Sequence, residues 1–184
     1  LDIVAEHGWT SVTLDAVAER SGVARDEVYR LTPSPAAIID LFARRIDLAV
    51  AAGAAPPPDG PVGDGAVTDD PAGATAESPR DRLFDVLMHR FDALAPYRNA
   101  VARLTHDLPR DPSALAATLP QACRSFGLML RTAGIADDGL RGRARIAALL
   151  GLWLAVQRDW LNDDSDDMAQ TMAALDRYLA RLFA

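Results

Sequence analysis

Residues 8–42 read GWTSVTLDAVAERSGVARDEVYRLTPSPAAIIDLF, and this stretch decides the fold of the N-terminal part of the chain. Thr13 stands where its hydroxyl can cap a helix over residues 14–21. Gly22 can provide the tight turn after that helix, because glycine adopts left-handed backbone angles without strain. A second short helix is predicted over residues 25–31.

Two short helices joined by a tight turn form a helix-turn-helix pattern. Four small apolar residues are spaced to pack the two helices together: Val17, Ala18, Val23 and Val28. A short helix before the pattern is predicted to end at Gly8. A longer one opens at Ser34-Pro35, with the serine as its cap and the proline at its first position.

In proteins that read DNA, the second helix of this pattern presents exposed side chains to the major groove, and helix N-termini hold phosphates. Arg20, Arg25 and Arg30 are predicted to share an outward, positively charged face. The candidate DNA-binding residues are Thr13, Arg25, Asp26, Tyr29, Arg30 and Ser34. Arg25 and Tyr29 are the leading candidates for DNA contacts, with Arg30 and Ser34 for phosphates. The alternative is that Tyr29 packs the small core and that Arg25 and Arg30 are simply solvated.

The stretch resembles the DNA-binding domain of TetR-type transcriptional regulators. The shared features are Trp9 after Gly8, Thr13-Leu14-x-x-Val17-Ala18, Ser21-Gly22-Val23, and Tyr29 at the end of the second helix. The resemblance implies an all-α protein with a DNA-binding module over residues 1–50 and a helical ligand-binding and dimerisation bundle over residues 80–184. It further implies a homodimer that binds a palindromic DNA operator and releases it when a small apolar ligand enters the bundle.

The chain departs from the TetR pattern at three positions. Ala24 cannot cap the second helix, which costs about 1 kcal/mol relative to a capping residue. Thr32 stands where an aromatic is usual, and Pro35 where a lysine usually reaches a phosphate. Asp26 and Glu27 also add carboxylates to the second helix, and carboxylates repel phosphates.

A second resemblance favours another function. Residues 160–177 resemble the end of the lipid-binding proteins of ubiquinone biosynthesis, in the run WLNDDSDD followed by Thr171, Leu175 and Asp176-Arg177. Those proteins share the TetR-like fold without DNA control, so the resemblance implies a lipid- or isoprenoid-binding accessory protein. The charge around Arg25 and Arg30 separates the alternatives, since a positive surface favours DNA and a neutral or acidic one favours the lipid carrier.

Composition limits the other classes of protein. The 184 residues are 49% hydrophobic and 24% charged, as in globular proteins, and the net charge of −7 with no lysine indicates no basic face overall. The longest apolar run, Ile146–Val156, is too short to span a bilayer, and no signal peptide is evident, so we expect a cytoplasmic protein. Residues 51–79 contain six prolines, five glycines and no basic residue, which predicts a flexible linker.

Apolar residues at helical spacing predict the bundle after the linker. Its helices are expected from Pro79 to before Pro96, over Tyr97–Leu108, from Pro112 to Gly134 with an interruption at Pro120, over Gly139–Leu161, and from Asp164-Ser165 to the end. The segment Ile146–Val156 is apolar on nearly all sides, which predicts burial on several faces. The resemblance implies that the last two helices pair with their mates in a dimer.

The TetR resemblance also implies a ligand cavity inside this bundle. Its predicted wall consists of Phe91, Phe126, Met129, Leu130, Trp153 and Val156, with Gln157 as the polar anchor. The alternative is that these side chains fill a solid core.

Catalytic and metal-binding motifs are not evident in the sequence. His7, His89 and His106 lack metal-ligand spacing, and His106 is not expected to face Asp107. Cys123, the only cysteine, is predicted to be inert packing in an apolar helix. The acids at 163, 164, 166 and 167 suit a helix N-terminus better than a calcium site. We therefore expect neither an enzyme nor a bound metal or cofactor.

Overall fold

The computed structural model describes residues 1–53 and 77–183, which fold into α-helices joined by short turns. Within these two ranges no residue lies in a β-strand, so the all-α prediction is confirmed. Most of the predicted linker, residues 54–76, lies outside the described residues. No helix of the described ranges is both long enough and apolar enough to cross a membrane.

Residues 1–53 contain the predicted helix-turn-helix. The helices are α1 (Asp2–His7), α2 (Leu14–Ser21), α3 (Arg25–Leu31) and α4 (Pro35–Gly53). The Thr13 hydroxyl caps α2 by accepting a hydrogen bond from the Ala16 amide at 3.1 Å. Gly22 ends α2 with a φ of 70°, which is the left-handed conformation that glycine permits. Local signals in the sequence therefore set both helix boundaries.

A small core holds α2 and α3 together. Leu14 and Ala18 of α2 pack on Val28 of α3, with Val17 partly buried beside them. Val23 is 37% exposed, so its predicted part in this packing is wrong. It stands in the turn, outside both helices, where its side chain has no facing helix to cover it.

Residues 77–183 form the bundle. Its helices are α5 (Pro79–Leu94), α6 (Arg98–Asp107), α7 (Pro112–Thr132), α8 (Gly139–Leu161) and α9 (Ala169–Leu182). The predicted interruption at Pro120 is wrong, because α7 continues through it. Proline removes the hydrogen bond to the carbonyl of Ala116. Both residues are exposed, so water can bond that carbonyl and the helix persists.

The last helix begins later than predicted, at Ala169 rather than at Asp164-Ser165. Asp163 explains the delay: it is 1% exposed and accepts hydrogen bonds from the Thr171 amide at 2.8 Å and the Thr171 hydroxyl at 2.7 Å. Burial raises the pKa of Asp163, but hydrogen bonds from Ser165 and Thr171 outweigh it and hold that pKa well below its usual range. The buried carboxylate therefore anchors the loop before α9.

The main core lies between α4, α5, α7, α8 and α9. Ile46 and Val50, from the second half of α4, belong to it, so α4 runs from the helix-turn-helix into the bundle. A second connection forms where Trp9 packs against Ala100 and Leu104 of α6. The N-terminal helices are thus joined to the bundle at two separate points.

One face of α8 is uncovered in the single chain, although burial on several faces was predicted. Leu149, Trp153 and Val156 face the core, whereas Gly151 is exposed and Leu154 is 47% exposed. Apart from its chain neighbours and the adjacent backbone of α8, no described residue lies within 4 Å of a Cβ built on Gly151. The prediction is therefore wrong for the isolated chain, because no helix of residues 1–53 or 77–183 packs on this face.

Candidate functional site

Helix α3 projects from the end of the molecule and buries only one of its side chains. Val28 is 6% exposed, while the other six residues of the helix are exposed. Tyr29 is 51% exposed, so it does not pack in the small core. Ala24 precedes the helix without any side-chain cap, as its methyl group requires. The predicted contact residues Arg25, Asp26, Tyr29 and Arg30 all lie on this exposed helix.

Each arginine of the predicted positive face has a carboxylate partner, so that face is not positive as predicted. Arg25 Nε lies 2.9 Å from Asp15 Oδ1, and Arg30 Nη2 lies 3.6 Å from Glu27 Oε1. Arg20 pairs with Glu6 in the same way. For Arg25 and Arg30 the partners are acids in the first turns of α2 and α3, where the helix dipole favours negative charge.

Asp15 organises two of the candidate contacts at once. Its Oδ1 atom meets Arg25 Nε at 2.9 Å and accepts a hydrogen bond from the Tyr29 hydroxyl at 3.2 Å. The three side chains remain largely exposed, with 70% of the Arg25 side chain open to solvent. Ion pairs this exposed contribute only about 0–1 kcal/mol, so a competing anion can displace the carboxylate.

The two remaining candidates lie at helix N-termini. Thr13 is exposed at the start of α2, and the Ser34 hydroxyl accepts a hydrogen bond from the Ala37 amide at 3.4 Å at the start of α4. Helix N-termini expose backbone N–H groups that suit phosphate oxygens. The exposed tip therefore combines a projecting helix with two N-termini that can face a phosphate backbone.

The seven predicted ligand-wall residues are all buried in or beside the main core: Phe91, Phe126, Met129, Leu130, Trp153, Val156 and Gln157. Phe91 stacks on Trp153 with ring centroids 4.3 Å apart. Gln157 donates a hydrogen bond to the Thr105 hydroxyl at 2.6 Å. These side chains largely fill the core. Two of them, Phe126 and Trp153, also line a cleft.

A buried polar cluster was missed in the sequence. The Arg90 guanidinium donates to Asp47 Oδ1 at 2.6 Å, with only 10% of each side chain exposed. Ser125 donates to the other oxygen of Asp47 at 2.5 Å, and Gln121 reaches it at 3.4 Å. Burial lowers the pKa of Arg90, while Asp47 opposes that shift. The signal in the sequence was a charged residue beside a core residue in each of two helices: Asp47 follows Ile46 in α4, and Arg90 precedes Phe91 in α5.

Two carboxylates of the bundle accept hydrogen bonds from Trp9. This arrangement, called the Trp9 clasp below, was also missed in the sequence. Its backbone N–H donates to Asp107 Oδ2 at 2.9 Å, and its indole N–H donates to Asp111 Oδ2 at 3.1 Å. Gly8, with a φ of 82°, permits this approach, since a Cβ there would lie 2.9 Å from Asp107 Oδ2. The clasp ties the N-terminal helices to the end of α6.

The contact between His106 and Asp107 contradicts one prediction from the sequence. His106 Nδ1 lies 2.7 Å from Asp107 Oδ1, although the two side chains were not expected to meet. Both lie at the end of α6, where the helix stops and the aspartate turns back. The hydrogen bond from His106 lowers the pKa of Asp107, and the Trp9 amide lowers it further. In the described ranges, no three His, Cys, Asp or Glu side chains converge as a metal site would require.

Comparison with known proteins supports this architecture. No protein-family model and no curated protein matches the chain. A solved structure, the crystal structure of a TetR transcriptional regulator from Rhodococcus sp. RHA1, superposes with a TM-score of 0.54 at 23% sequence identity. The match covers 100% of this chain and 92% of that one. The chain therefore has the fold of a TetR transcriptional regulator.

Proposed function

We propose that this chain is a ligand-responsive transcriptional repressor of the TetR type, which binds a palindromic DNA operator as a homodimer through residues 13–35. A small, largely apolar molecule bound in the bundle would release the DNA. The protein would act in the cytoplasm, without catalysis or a cofactor.

The observation that carries the proposal is the outward position of α3 on this fold. Arg25, Tyr29 and Arg30 are exposed at the tip, while Val28 is the one residue of α3 that is buried. Arginine and tyrosine side chains on an exposed recognition helix can reach base edges and phosphates in the major groove. Two copies in a dimer would present two such helices to the two halves of a palindrome.

Binding then requires an exchange of partners. Arg25 Nε must leave Asp15, and Arg30 Nη2 must leave Glu27, before those nitrogen atoms can contact DNA. Each exposed pair is worth about 0–1 kcal/mol. A phosphate contact, in contrast, gains from the release of condensed counterions. The exchange is therefore favourable at low salt and weakens the affinity relative to unpaired arginines.

A ligand can act only if it binds the two arrangements of the DNA-binding helices with different affinity. The chain supplies two physical connections for this coupling. Helix α4 carries Ile46 and Val50 into the main core, and Trp9 is held by Asp107 and Asp111 at the end of α6. A ligand that shifts the bundle would therefore move α3.

The exposed face of α8 supports the homodimer. Its small residues include Ala147 and Gly151, and α9 exposes Ala173 and Ala180. Small side chains let helices approach closely, and Leu154 adds an exposed apolar anchor. Pairing of α8 and α9 with their copies would cover this face.

The dimer is tested by sedimentation of two matched variants. Leu154→Glu places a charge on the proposed interface and is expected to give monomers. Leu115 is equally exposed, at 47%, but lies on α7, so Leu115→Glu should leave the dimer intact. Dimers of Leu154→Glu at micromolar concentration would contradict this interface.

The proposed function is tested by titrating the full-length protein against DNA from upstream of its own gene. A true DNA-binding protein should bind at 50 mM salt and weaken at least tenfold at 200 mM salt, as counterion release requires. A scrambled duplex of the same length is the control for sequence preference. No detectable binding at 50 mM salt would reject the repressor.

A second candidate is favoured by the paired arginines. A neutral or acidic α3 surface suits a TetR-fold protein that binds a lipid or isoprenoid without DNA, and the charges at Arg25 and Arg30 are neutralised. The same DNA titration decides between the two. If DNA fails to bind, mass spectrometry of small molecules that co-purify with the protein tests this candidate.

A further inference from the structure

A cleft of about 200 Å³ lies between α4, α5, α7 and α8, beside the buried Asp47–Arg90 pair. It is smaller than the roughly 300–1,000 Å³ of sites for drug-sized ligands. Its walls are mainly apolar and include the rings of Phe126 and Trp153. A compact apolar or aromatic body therefore fits this space better than a long lipid chain.

Two side chains of the cleft have polar atoms without a partner. Arg90 Nε and Asp40 Oδ1 are buried and find no hydrogen-bond partner among the described residues. Arg90 is 8% exposed, and both side chains line the same cleft. Buried polar groups are nearly always hydrogen-bonded, so this unpaired donor and unpaired acceptor at one cleft are available to a ligand that offers an acceptor and a donor.

The other polar side chains around this cleft are already engaged. Ser125 donates to Asp47 at 2.5 Å, and Gln121 Nε2 lies 3.4 Å from the same carboxylate. The Thr118 hydroxyl donates to the Ala114 carbonyl at 3.0 Å. The unused hydrogen-bonding capacity is therefore concentrated on Asp40 and Arg90.

Arg90 is held firmly in place. Its Nη1 atom is bound by Asp47, and its guanidinium carbon lies 5.7 Å from the centre of the Phe126 ring and 5.4 Å from that of Trp153. Asp47 neutralises its charge, so Arg90 offers a hydrogen bond to a ligand rather than a net attraction for an anion. Asp40 adds a further carboxyl group to the cleft.

These features select the polar group of the ligand. A carboxylate only accepts hydrogen bonds, so it would leave Asp40 unpaired and would be repelled by it. An ammonium only donates, so it would leave Arg90 Nε unpaired. A neutral hydroxyl donates one hydrogen bond and accepts others, so of these three groups it alone offers a partner to each of the two unpaired atoms.

We propose that this cleft binds a small neutral molecule with a hydroxyl group on a compact apolar or aromatic body, such as a simple phenol. The hydroxyl donates to Asp40 and accepts from Arg90, and the body packs on Phe126 and Trp153. The inference rests on the proposed function only where it takes this cleft as the site of the molecule that releases the DNA. Binding at the cleft itself can be measured without DNA.

The test is calorimetry of the full chain with four probes of similar size: phenol, toluene, benzylamine and benzoate. Phenol is expected to bind at least tenfold more tightly than each of the other three. Asp40→Ala removes no side-chain hydrogen bond among residues 1–53 and 77–183, so it should fold normally and bind phenol no better than toluene. Asp92→Ala, on the exposed side of α5, is the matched control and should bind phenol like the unmodified chain.

A second variant locates the site. Ala122→Leu fills the cleft and should abolish the binding of both phenol and toluene. The proposal is overturned if phenol does not bind, if it binds no more tightly than toluene, or if either Asp40→Ala or Ala122→Leu leaves its affinity unchanged. DNA binding that fails while phenol still binds would reject the repressor and keep this site.

Discussion

The same pair of residue types occurs in two regions of this molecule with opposite consequences. Arg25 and Asp15 meet at 2.9 Å on the exposed tip, and Arg90 and Asp47 meet at 2.6 Å inside the bundle. Water surrounds the first pair, so its net energy is small and its partners can change. The second pair has lost its hydration, so either charge without the other is costly. Only the exposed pair can exchange its partners during reversible binding.

Breaking the buried pair should have the largest effect. Asp47→Ala leaves the Arg90 charge buried without its partner and should lower the free energy of unfolding by about 3–5 kcal/mol. Asp15→Ala, at the exposed pair, should cost about 0–1 kcal/mol. Urea unfolding of both variants measures the difference, and equal losses would contradict the comparison.

A replacement of the whole buried pair sharpens this result. Asp47→Leu combined with Arg90→Met removes both charges and keeps apolar volume, so it should recover most of the stability lost in Asp47→Ala. A double variant as unstable as Asp47→Ala would show that packing, rather than the unpaired charge, causes the loss.

Asp111 lies between these extremes and gives a smaller, pH-dependent effect. Hydrogen bonds from Ser113, the Ala114 amide and Trp9 lower the pKa of Asp111 from 3.8 to about 2. As the pH falls, this carboxyl is protonated at a higher pH in the unfolded chain than in the folded one. The stabilisation that its charged form provides is therefore present above pH 4 and is lost as the pH falls towards 2. Asp111→Asn should therefore lose less stability than the unmodified chain between pH 5 and pH 2.

The exposed Asp92 provides the control for that experiment. Asp92→Asn should follow the same pH dependence as the unmodified chain, because the Trp9 clasp is intact. Identical curves for Asp111→Asn and Asp92→Asn, measured by chemical unfolding at each pH, would contradict a role for Asp111 in the clasp.

The smallest predicted effect concerns the start of α3. Ala24 has extended backbone angles at the cap position but no oxygen to accept an amide hydrogen. Ala24→Ser should supply that acceptor and raise the free energy of unfolding by about 1 kcal/mol. Thermal unfolding measures the gain, and a variant no more stable than the parent would show that α3 frays without affecting the fold.

The boundaries of α2 and the start of α5 were predictable because local signals specify them, whereas the start of α9 depends on the buried Asp163. Thr13 caps α2, Gly22 ends it, and Pro79 opens α5 in the structure as in the sequence. The interruption predicted at Pro120 was wrong because the effect of a proline depends on whether the carbonyl it leaves unbonded can reach water, which a sequence does not reveal.

The sites were harder to predict because their contacts join distant residues. Arg25 meets an acid of the preceding helix, and Arg90 meets Asp47, 43 residues earlier in the chain. Phe91 and Trp153 show the same difficulty, since an apolar side chain that fills a core and one that lines a cavity share one sequence pattern. Only the three-dimensional arrangement separates them.

The most direct test of the central claim compares Asp15→Asn and Arg25→Ala in fluorescence-anisotropy titrations on one labelled upstream DNA at 50 mM salt. If α3 binds DNA by exchanging carboxylates for phosphates, Asp15→Asn should bind several-fold more tightly and Arg25→Ala at least tenfold more weakly than the unmodified protein. DNA affinity that is the same in all three proteins, or absent from all three, would contradict the account.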